Sequence, residues 1–320
     1  MAGATYWWKA YKEVIQQQTI ARELFVLHQQ YGGDVRIAPN ELHFGNPSAF
    51  HGICHNSKRW DKDSGLYRTP GFSNGSFVLF KYAQTKERRE AVLPIFSKKA
   101  IKSLEHLVWR NLCRPGVPGK AQQRTAPDPP PPNARSQCIP DKGTPDLTAL
   151  HDEAFTLISA GALAVSDALL MGHWHMLRNQ PLLSQLRQEI TTLWPDLGSP
   201  SWLADLEGLA LLTATIKESL RLSPPGASFP RVVPPSGAQI SGYSIPQGTV
   251  VNMEILHVHQ SRELWGRDIL EFRPKRWLNQ QQHVQEETPA ISSSHLEHWL
   301  VPCSRGARMC IGTNLAWAED

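Results

Sequence analysis

The sequence contains little cysteine. Its 320 residues hold five, at Cys54, Cys113, Cys138, Cys303 and Cys310. The number is odd and the spacings are irregular, which argues against a disulfide framework. No C-x-x-C pair occurs, so a structural zinc site of the paired-cysteine type is not expected. A reducing intracellular compartment fits this usage best. Excess charge of one sign is also absent. Lys plus Arg number 33 and Asp plus Glu 29, a formal charge of +4, which gives no reason to expect a nucleic-acid partner. The N-terminus lacks an apolar run long enough for a signal peptide or membrane span, because Lys9, Lys12 and Glu13 interrupt it early. No transmembrane anchor is therefore expected. Trp7, Trp8 and Tyr11 read as packing residues of a helix rather than as a membrane-resting patch. No internal repeat is visible.

What is present is a chain able to build a sizeable core, with 41% hydrophobic residues. Apolar positions at Ile15, Ile20, Leu24, Leu27 and Tyr31 predict helix over 5–31, ended by Gly32-Gly33. Residues 35–44 alternate and turn at Pro39-Asn40, which predicts a small hairpin. Helix is expected again over 85–112, with a break near Pro94. Between Arg114 and Asp146 the character changes: nine prolines exclude helix and sheet over most of the segment. Helix resumes near Leu147. The portion over 154–170 is almost wholly apolar and is expected to be buried on most sides. Further helices are predicted over 181–193 and 203–222, the latter stopping at Ser223-Pro224-Pro225. Short alternating pieces at 231–233, 239–245 and 249–253 read as strands of a minor sheet. The expected fold class is mainly α with a small β subdomain. The expected organisation is an N-terminal part (1–113), a proline-rich and disordered insert (114–146), and a C-terminal part (147–320) that completes the same domain.

One run near the C-terminus carries the chemistry. Gly306, Arg308 and Gly312 flank Cys310 at fixed offsets, and an apolar helical stretch follows. A glycine turn can expose one sulfur, and a helix N-terminus can stabilise its negative charge. A single thiolate suits haem iron, whose equatorial ligands come from the porphyrin. Glu218 and Arg221, three apart, can meet on one helical face. Such a pair, if partly buried, needs further partners, and Arg276 in the run 271–278 can supply one. Arg231 sits between two prolines at a strand start and could hold a carboxylate bidentately or lie exposed. Arg88 and Arg89 lie on an amphipathic helix, where a solvated basic face is the ordinary reading. The thirteen histidines form no convincing metal site. His51 and His55 have helical spacing in a segment that reads as poor helix. His257 and His259, two apart, would share one face of an extended strand. All four read as structural or exposed.

Taken in order, these segments resemble the cytochrome P-450 family of haem-thiolate monooxygenases, in particular fungal microsomal members. Ala160-Gly161 resembles the centre of the helix that crosses the distal haem face. Glu218 and Arg221 match the family's Glu-x-x-Arg pair. The run 272–277 is similar to Phe-x-Pro-Glu-Arg-Phe/Trp, and Cys303 to Gly312 matches F-x-x-G-x-R-x-C-x-G except at its first position. Tyr31-Gly32 through Phe44 and Lys86 through Ile101 look like the family's N-terminal third. The resemblance implies haem as cofactor and Cys310 as iron ligand. It implies Gly306 and Gly312 as shapers of the loop, and Arg308, Arg231 and Arg88 as propionate partners. Glu218, Arg221 and Arg276 would form a bracing triad. It also implies an NADPH-dependent reductase as electron donor, an apolar small-molecule substrate in secondary metabolism, and the endoplasmic-reticulum surface as location.

The chain departs from the pattern in five places. Leu163 and Ala164 stand where an acid–alcohol pair usually relays protons, with Ser166 and Asp167 two or three residues away around the helix. Cys303 replaces the phenylalanine that opens the ligand loop. Lys275 replaces a glutamate. The stretch between Arg110 and Leu147 is too short to hold the helices that roof the substrate, and the sequence stops at Asp320 inside the helix after the ligand. The expected fold is therefore an incomplete version of the family fold. Three readings follow: a monooxygenase that inserts one oxygen atom from O₂ into an apolar small molecule, a haem-binding member that rearranges or dehydrates its substrate without oxygenase activity, or an inactive truncated relative.

Overall fold

The computed structural model describes residues 5–16, 20–55, 57, 59–68, 71, 74–112, 146–195, 202–223, 228–278 and 293–320. The proline-rich segment, with Cys113 and Cys138, and Pro224-Pro225 lie outside the described residues.

The expected first helix is divided into a turn at Trp7–Ala10, a π-type turn at Tyr11–Ile15, and helix α1, Ile20–Tyr31. Trp8 packs on Ile20, Leu24 and Ile37. Trp7 is 80% exposed and Tyr11 49%, so these two are not packing residues. α1 ends where Gly32 takes φ +98°, a conformation that a Cβ disfavours. The hairpin β1 (Asp34–Ala38) and β2 (Glu41–Phe44) follows, turning at Pro39-Asn40 as expected. A short helix α2, Ser48–Ile53, buries Ala49, Phe50 and Ile53, so the segment around His51 is helical after all. Strand β3 is Asp61–Lys62. Helices α3 (Tyr82–Val92) and α4 (Lys98–Leu112) are separated by a 3₁₀ turn at Leu93–Phe96, and Pro94 sets the break.

Helix α5, Leu147–Arg178, is 32 residues long and longer than the sequence pattern implied. Asn179 ends it and caps α6, Gln180–Leu193, accepting from Leu182 N–H at 3.1 Å. The predicted helix over 203–222 is interrupted: a turn at Leu203–Leu206 precedes α7, Ala210–Leu222. Glu189 of α6 explains the restart. Its carboxylate accepts from Leu211 and Leu212 N–H, each at 2.9 Å, at the positive end of α7.

The remaining strands are β4 (Arg231–Val232), β5 (Ala238–Ile240), β6 (Tyr243–Ile245) and β7 (Val250–Asn252). The piece read as one strand over 239–245 is a hairpin, reversed at Ser241 (φ 50°) and Gly242 (φ 84°). The main sheet has the order β1-β2-β7-β4-β3. β2 and β7 run parallel although more than 200 residues separate them, so the hairpin near the N-terminus docks onto the C-terminal half. A core of Phe44, Phe50, Trp60, Val251, Ile255 and Trp265 lies beneath this sheet. His257 and His259 lie on a short helix, α8 (Ile255–His259), and not on a strand. Helices α9 (Ser293–Trp299) and α10 (Thr313–Glu319) flank the cysteine loop.

The apolar stretch of α5 is not buried on most sides. Ile158, Leu163 and Leu170 are 72%, 67% and 69% exposed, and no described element covers that face. The buried residues of this helix sit at its ends: Asp152, Glu153 and Thr156 near the start, Ala168 and Gly172 against α7. By length and composition α5 could cross a membrane. Its buried Asp152 and Glu153 tie it instead to the loop at 74–76, accepting from Asn74 N–H at 2.9 Å and Ser76 N–H at 2.7 Å.

Candidate functional site

The loop over 301–312 folds through two left-handed residues, Ser304 (φ 56°) and Gly306 (φ 82°). At position 306 glycine is required twice over. A Cβ there would lie 2.6 Å from the Cys54 carbonyl oxygen, as well as in a strained backbone region. The chain then makes a 3₁₀ turn, Gly306–Arg308, and Cys310 N–H closes the loop on the Cys303 carbonyl at 2.9 Å. Cys310 is exposed at the end of this loop, three residues before α10 begins. Gly312 precedes that helix and passes 3.8 Å from the Cys310 sulfur, measured from where its Cβ would stand.

The Cys310 thiol is pulled down to about 6, well under the ordinary cysteine range. The hydrogen bond from the Cys303 thiol is the largest cause. Burial opposes it, while the Gly312 N–H, the Arg89 charge and Thr313 add to it. Cys303 is shifted the opposite way, since losing its proton would break that bond and set two negative sulfurs together. The residue read as a departure from the pattern is therefore a hydrogen-bond donor to the candidate ligand.

Beneath the loop lies a group of cations. Arg308 donates to the carbonyls of Trp60 (3.1 Å) and Phe80 (2.8 Å) and to Thr85 Oγ1 (2.9 Å). Burial, and then the neighbouring charge of Arg231, lower it to about 10. Arg231 is buried and reaches the Phe229 carbonyl at 3.1 Å. Lys62 is buried too. Burial, then Arg231, Arg308 and Arg89, push its ammonium well below the usual lysine range. Asp61 offsets part of this charge at Arg308. Arg89, rather than Arg88, reaches the cysteine loop, donating to the Met309 carbonyl at 2.7 Å. The residues alone set Arg88 and Arg89 side by side on one helix, and the family resemblance implied Arg88. Lys62 and Asp61 went unmarked, because nothing local distinguishes them from surface charges.

These observations test whether haem suits the residues present, and they do. The Cys303 hydrogen bond, the Gly312 N–H and the Arg89 charge all favour the thiolate of Cys310, which is the form that ligates. Arg231, Arg308, Lys62 and Arg89 form a partly buried cationic group, and desolvated like charges call for anionic partners such as a pair of propionates.

On the far side of α7 the triad residues come together. Glu218 accepts from Arg221 Nη2 at 2.8 Å and Nε at 3.0 Å, a bidentate pair with both side chains fully buried. Arg276 Nε donates to the same carboxylate at 2.9 Å, as do Trp277 Nε1 (2.9 Å) and Arg273 N–H (3.0 Å). Arg221 also binds the carbonyls of His259, Ile269 and Glu271, so its desolvated charge is fully partnered. Asp268 takes the outer face of Arg276 at 3.1 Å, a partner the sequence reading missed. His259 links this core to the cysteine loop. Its Nδ1–H donates to the Arg221 carbonyl and its Nε2 accepts from Val301 N–H at 2.9 Å, which fixes the neutral tautomer. Burial, and then the Arg221 charge, hold it down to about 3.

Other expected positions behave differently. Ala160 is exposed, and a Cβ on Gly161 would meet nothing within 4 Å. Lys275 is exposed and touches none of the triad. His51 pairs with His298 at 2.8 Å and not with His55.

A family model described as Cytochrome P450 matches residues 136–319. Similar fungal proteins include the cytochrome P450 monooxygenase macH of Penicillium terrestre, 26% identical over 98% of this chain and 81% of the relative. The cytochrome P450 monooxygenase astB of Talaromyces wortmannii is 26% identical over 100% of this chain and 79% of its own length. The tryptophan 6-hydroxylase fscE of Fusarium equiseti is 26% identical over 100% and 81%. The alignment to macH runs over 424 positions against 320 residues here, so that relative carries roughly a hundred residues without a counterpart in this chain. With more than half of its sequence matched by the family model and relatives aligned along nearly all of it, the chain belongs to the cytochrome P450 family.

Proposed function

We propose that this chain is a haem-thiolate monooxygenase that inserts one oxygen atom from dioxygen into an apolar small molecule of secondary metabolism. Its electrons would come from an NADPH-dependent reductase at the endoplasmic-reticulum surface. Three of its fungal relatives are named as monooxygenases or hydroxylases, and the family in general works with a reductase. The observation that carries the reading is the Cys310 thiol, drawn down to about 6 at the end of a glycine-shaped loop beside a buried cationic group. Residues 1–113 and 147–320 act in this reading as one haem-binding domain, with 114–146 as an insert.

When bound, haem supplies the oxygen-activating redox chemistry. Cys310 would hold its iron through the thiolate. Cys303 and the Gly312 N–H each donate to that sulfur and so draw electron density from it. Arg308 and Arg231 would receive the propionates, joined by Arg89, which reaches the cysteine loop. Glu218, Arg221 and Arg276 brace the segment that carries the loop, and His259 transmits that bracing to Val301.

A second reading is favoured by one specific observation. Leu163 and Ala164 carry no transferable proton at the positions where the family usually relays one, and Gly161 faces open space. A haem-binding member that rearranges or dehydrates its substrate, or an inactive relative, would tolerate that loss. The experiment that separates these readings measures NADPH-dependent oxygen consumption by the haem-loaded chain with a fungal reductase, across a panel of apolar aromatic substrates. Substrate-dependent consumption with hydroxylated product supports the monooxygenase. Thiolate-ligated haem without consumption supports the second reading.

A further inference from the structure

Three histidines from three separate elements meet away from the cysteine loop. His28 lies on α1, His43 on β2 and His257 on α8. Their ring centroids form a nearly equilateral triangle: 5.0 Å for His28–His43, 5.3 Å for His28–His257 and 5.0 Å for His43–His257. One ring nitrogen from each lies within 4.8 Å of one from each of the others. A carboxylate joins them, with Glu254 Oε2 3.6 Å from His257 Nδ1.

The hydrogen bonding of this group is incomplete. Ten buried side-chain nitrogen or oxygen atoms lack a partner among the described residues. Four of them are here: His43 Nε2, His257 Nδ1, His257 Nε2 and Glu254 Oε2. His43 is 0% exposed and His257 5%, so water does not satisfy them from outside. Leaving several polar atoms buried and unpaired in one place is costly, and an ion that takes one lone pair from each ring removes part of that cost.

The ring orientations are fixed by neighbours. His28 Nδ1–H donates to the Gly32 carbonyl at 2.9 Å, which leaves Nε2 as its lone-pair nitrogen, pointing at His43 Nδ1 at 2.7 Å. Phe25 stacks on His257 at 3.9 Å with an interplanar angle of 7°.

We propose that His28, His43 and His257, with Glu254 beside His257, form a binding site for one divalent transition-metal ion, with Zn²⁺ the best match. Three imidazoles are a borderline donor set suited to zinc. Tetrahedral bonds of about 2.0–2.1 Å need ligand atoms roughly 3.3 Å apart, so on binding His28 Nε2 and His43 Nδ1 would move apart from 2.7 Å and the proton between them would pass to His43 Nε2. The three donors come from three separate elements, so a bound ion would join them. It would clamp α1 and the N-terminal hairpin to α8 of the C-terminal half, independently of any haem.

The test titrates the full chain, stripped with a chelator and kept without haem, with Zn²⁺ by calorimetry, and with Co²⁺ by visible absorption. The expected result is one tight equivalent, the intense absorption of tetrahedral cobalt, and a rise in Tm with Zn²⁺. His28→Gln, whose ring is only half-buried, should fold and weaken binding at least about tenfold. Glu254→Gln should weaken it in the same direction. His51→Ala removes the separate His51–His298 pair and should leave the tight equivalent intact. No tight equivalent in the parent, or equal affinity in the parent and His28→Gln, would overturn the site. Loss of the tight equivalent in His51→Ala would equally overturn it, placing the ion at the surface pair.

Discussion

Glu218 has no exposed surface and answers two arginines, an indole N–H and a backbone N–H at once. Glu218→Gln would leave Arg221, also fully buried, and Arg276 without their shared countercharge. Breaking a buried pair in this way costs about 3–5 kcal/mol, a large part of a typical domain's stability of about 5–15 kcal/mol. Urea denaturation should show that loss, or the variant should accumulate in inclusion bodies. Lys275→Glu, which restores the family residue at an exposed position, should change stability by no more than about 0.5 kcal/mol. Gly306→Ala sets a Cβ against the Cys54 carbonyl and should cost about 1–3 kcal/mol, seen as a lower denaturation midpoint. At this scale the sequence was partly legible. The three-residue spacing of Glu218 and Arg221 announced a pair, and the thiolate was announced by glycines around Cys310. Arg276 is 58 positions from Glu218, so no local pattern links them; the residues offered Arg276 only as a possible further partner, and the family resemblance made the three a triad. Cys303 read as a missing aromatic, because a sequence cannot show that one sulfur donates to another. Gly45 marks another close approach, since a Cβ there would meet the His28 ring at 2.7 Å, which no spacing rule foretells.

Among the elements, α5 departs most from its expectation. Its composition is that of a core helix, yet its central face is open. Hydrophobicity reports what a helix can bury and not whether a partner exists, and the relatives' additional residues supply the contrast. Ile158→Lys and Leu163→Gln should therefore raise solubility and reduce binding of a hydrophobic dye, with a stability change within about 0.5 kcal/mol by urea titration. The opposite outcome, a loss of several kcal/mol, would mean that this face is packed. The helix breaks had clearer causes. Pro94 ends α3 by removing a donor, and this was readable. The break before α7 depends on Glu189, a capping carboxylate from another helix, and was not. The helix that carries His257 and His259 was not foreseen, because a five-residue helix has too few positions to declare its period.

For the whole molecule, the sheet and Arg308 are prominent among the links that join the chain's two parts. β2 pairs with β7, β3 with β4, and Arg308 reaches back to Trp60, Phe80 and Thr85. Such long-range pairing explains why the family's order of motifs was legible while its three-dimensional joints were not. Arg308→Ala should leave those carbonyls short of donors and cost about 1–3 kcal/mol. It should also hasten proteolysis within 59–96, whereas Arg308→Lys should restore charge but not the fork of donors. The most direct measurement concerns Cys310. The haem-reconstituted chain, reduced and exposed to carbon monoxide, should give the red-shifted Soret band of thiolate-ligated haem. Cys303→Ser should keep that band and Cys310→Ser should abolish it. An unshifted band in the parent chain, or a shifted band that survives in Cys310→Ser, would contradict thiolate ligation by this residue.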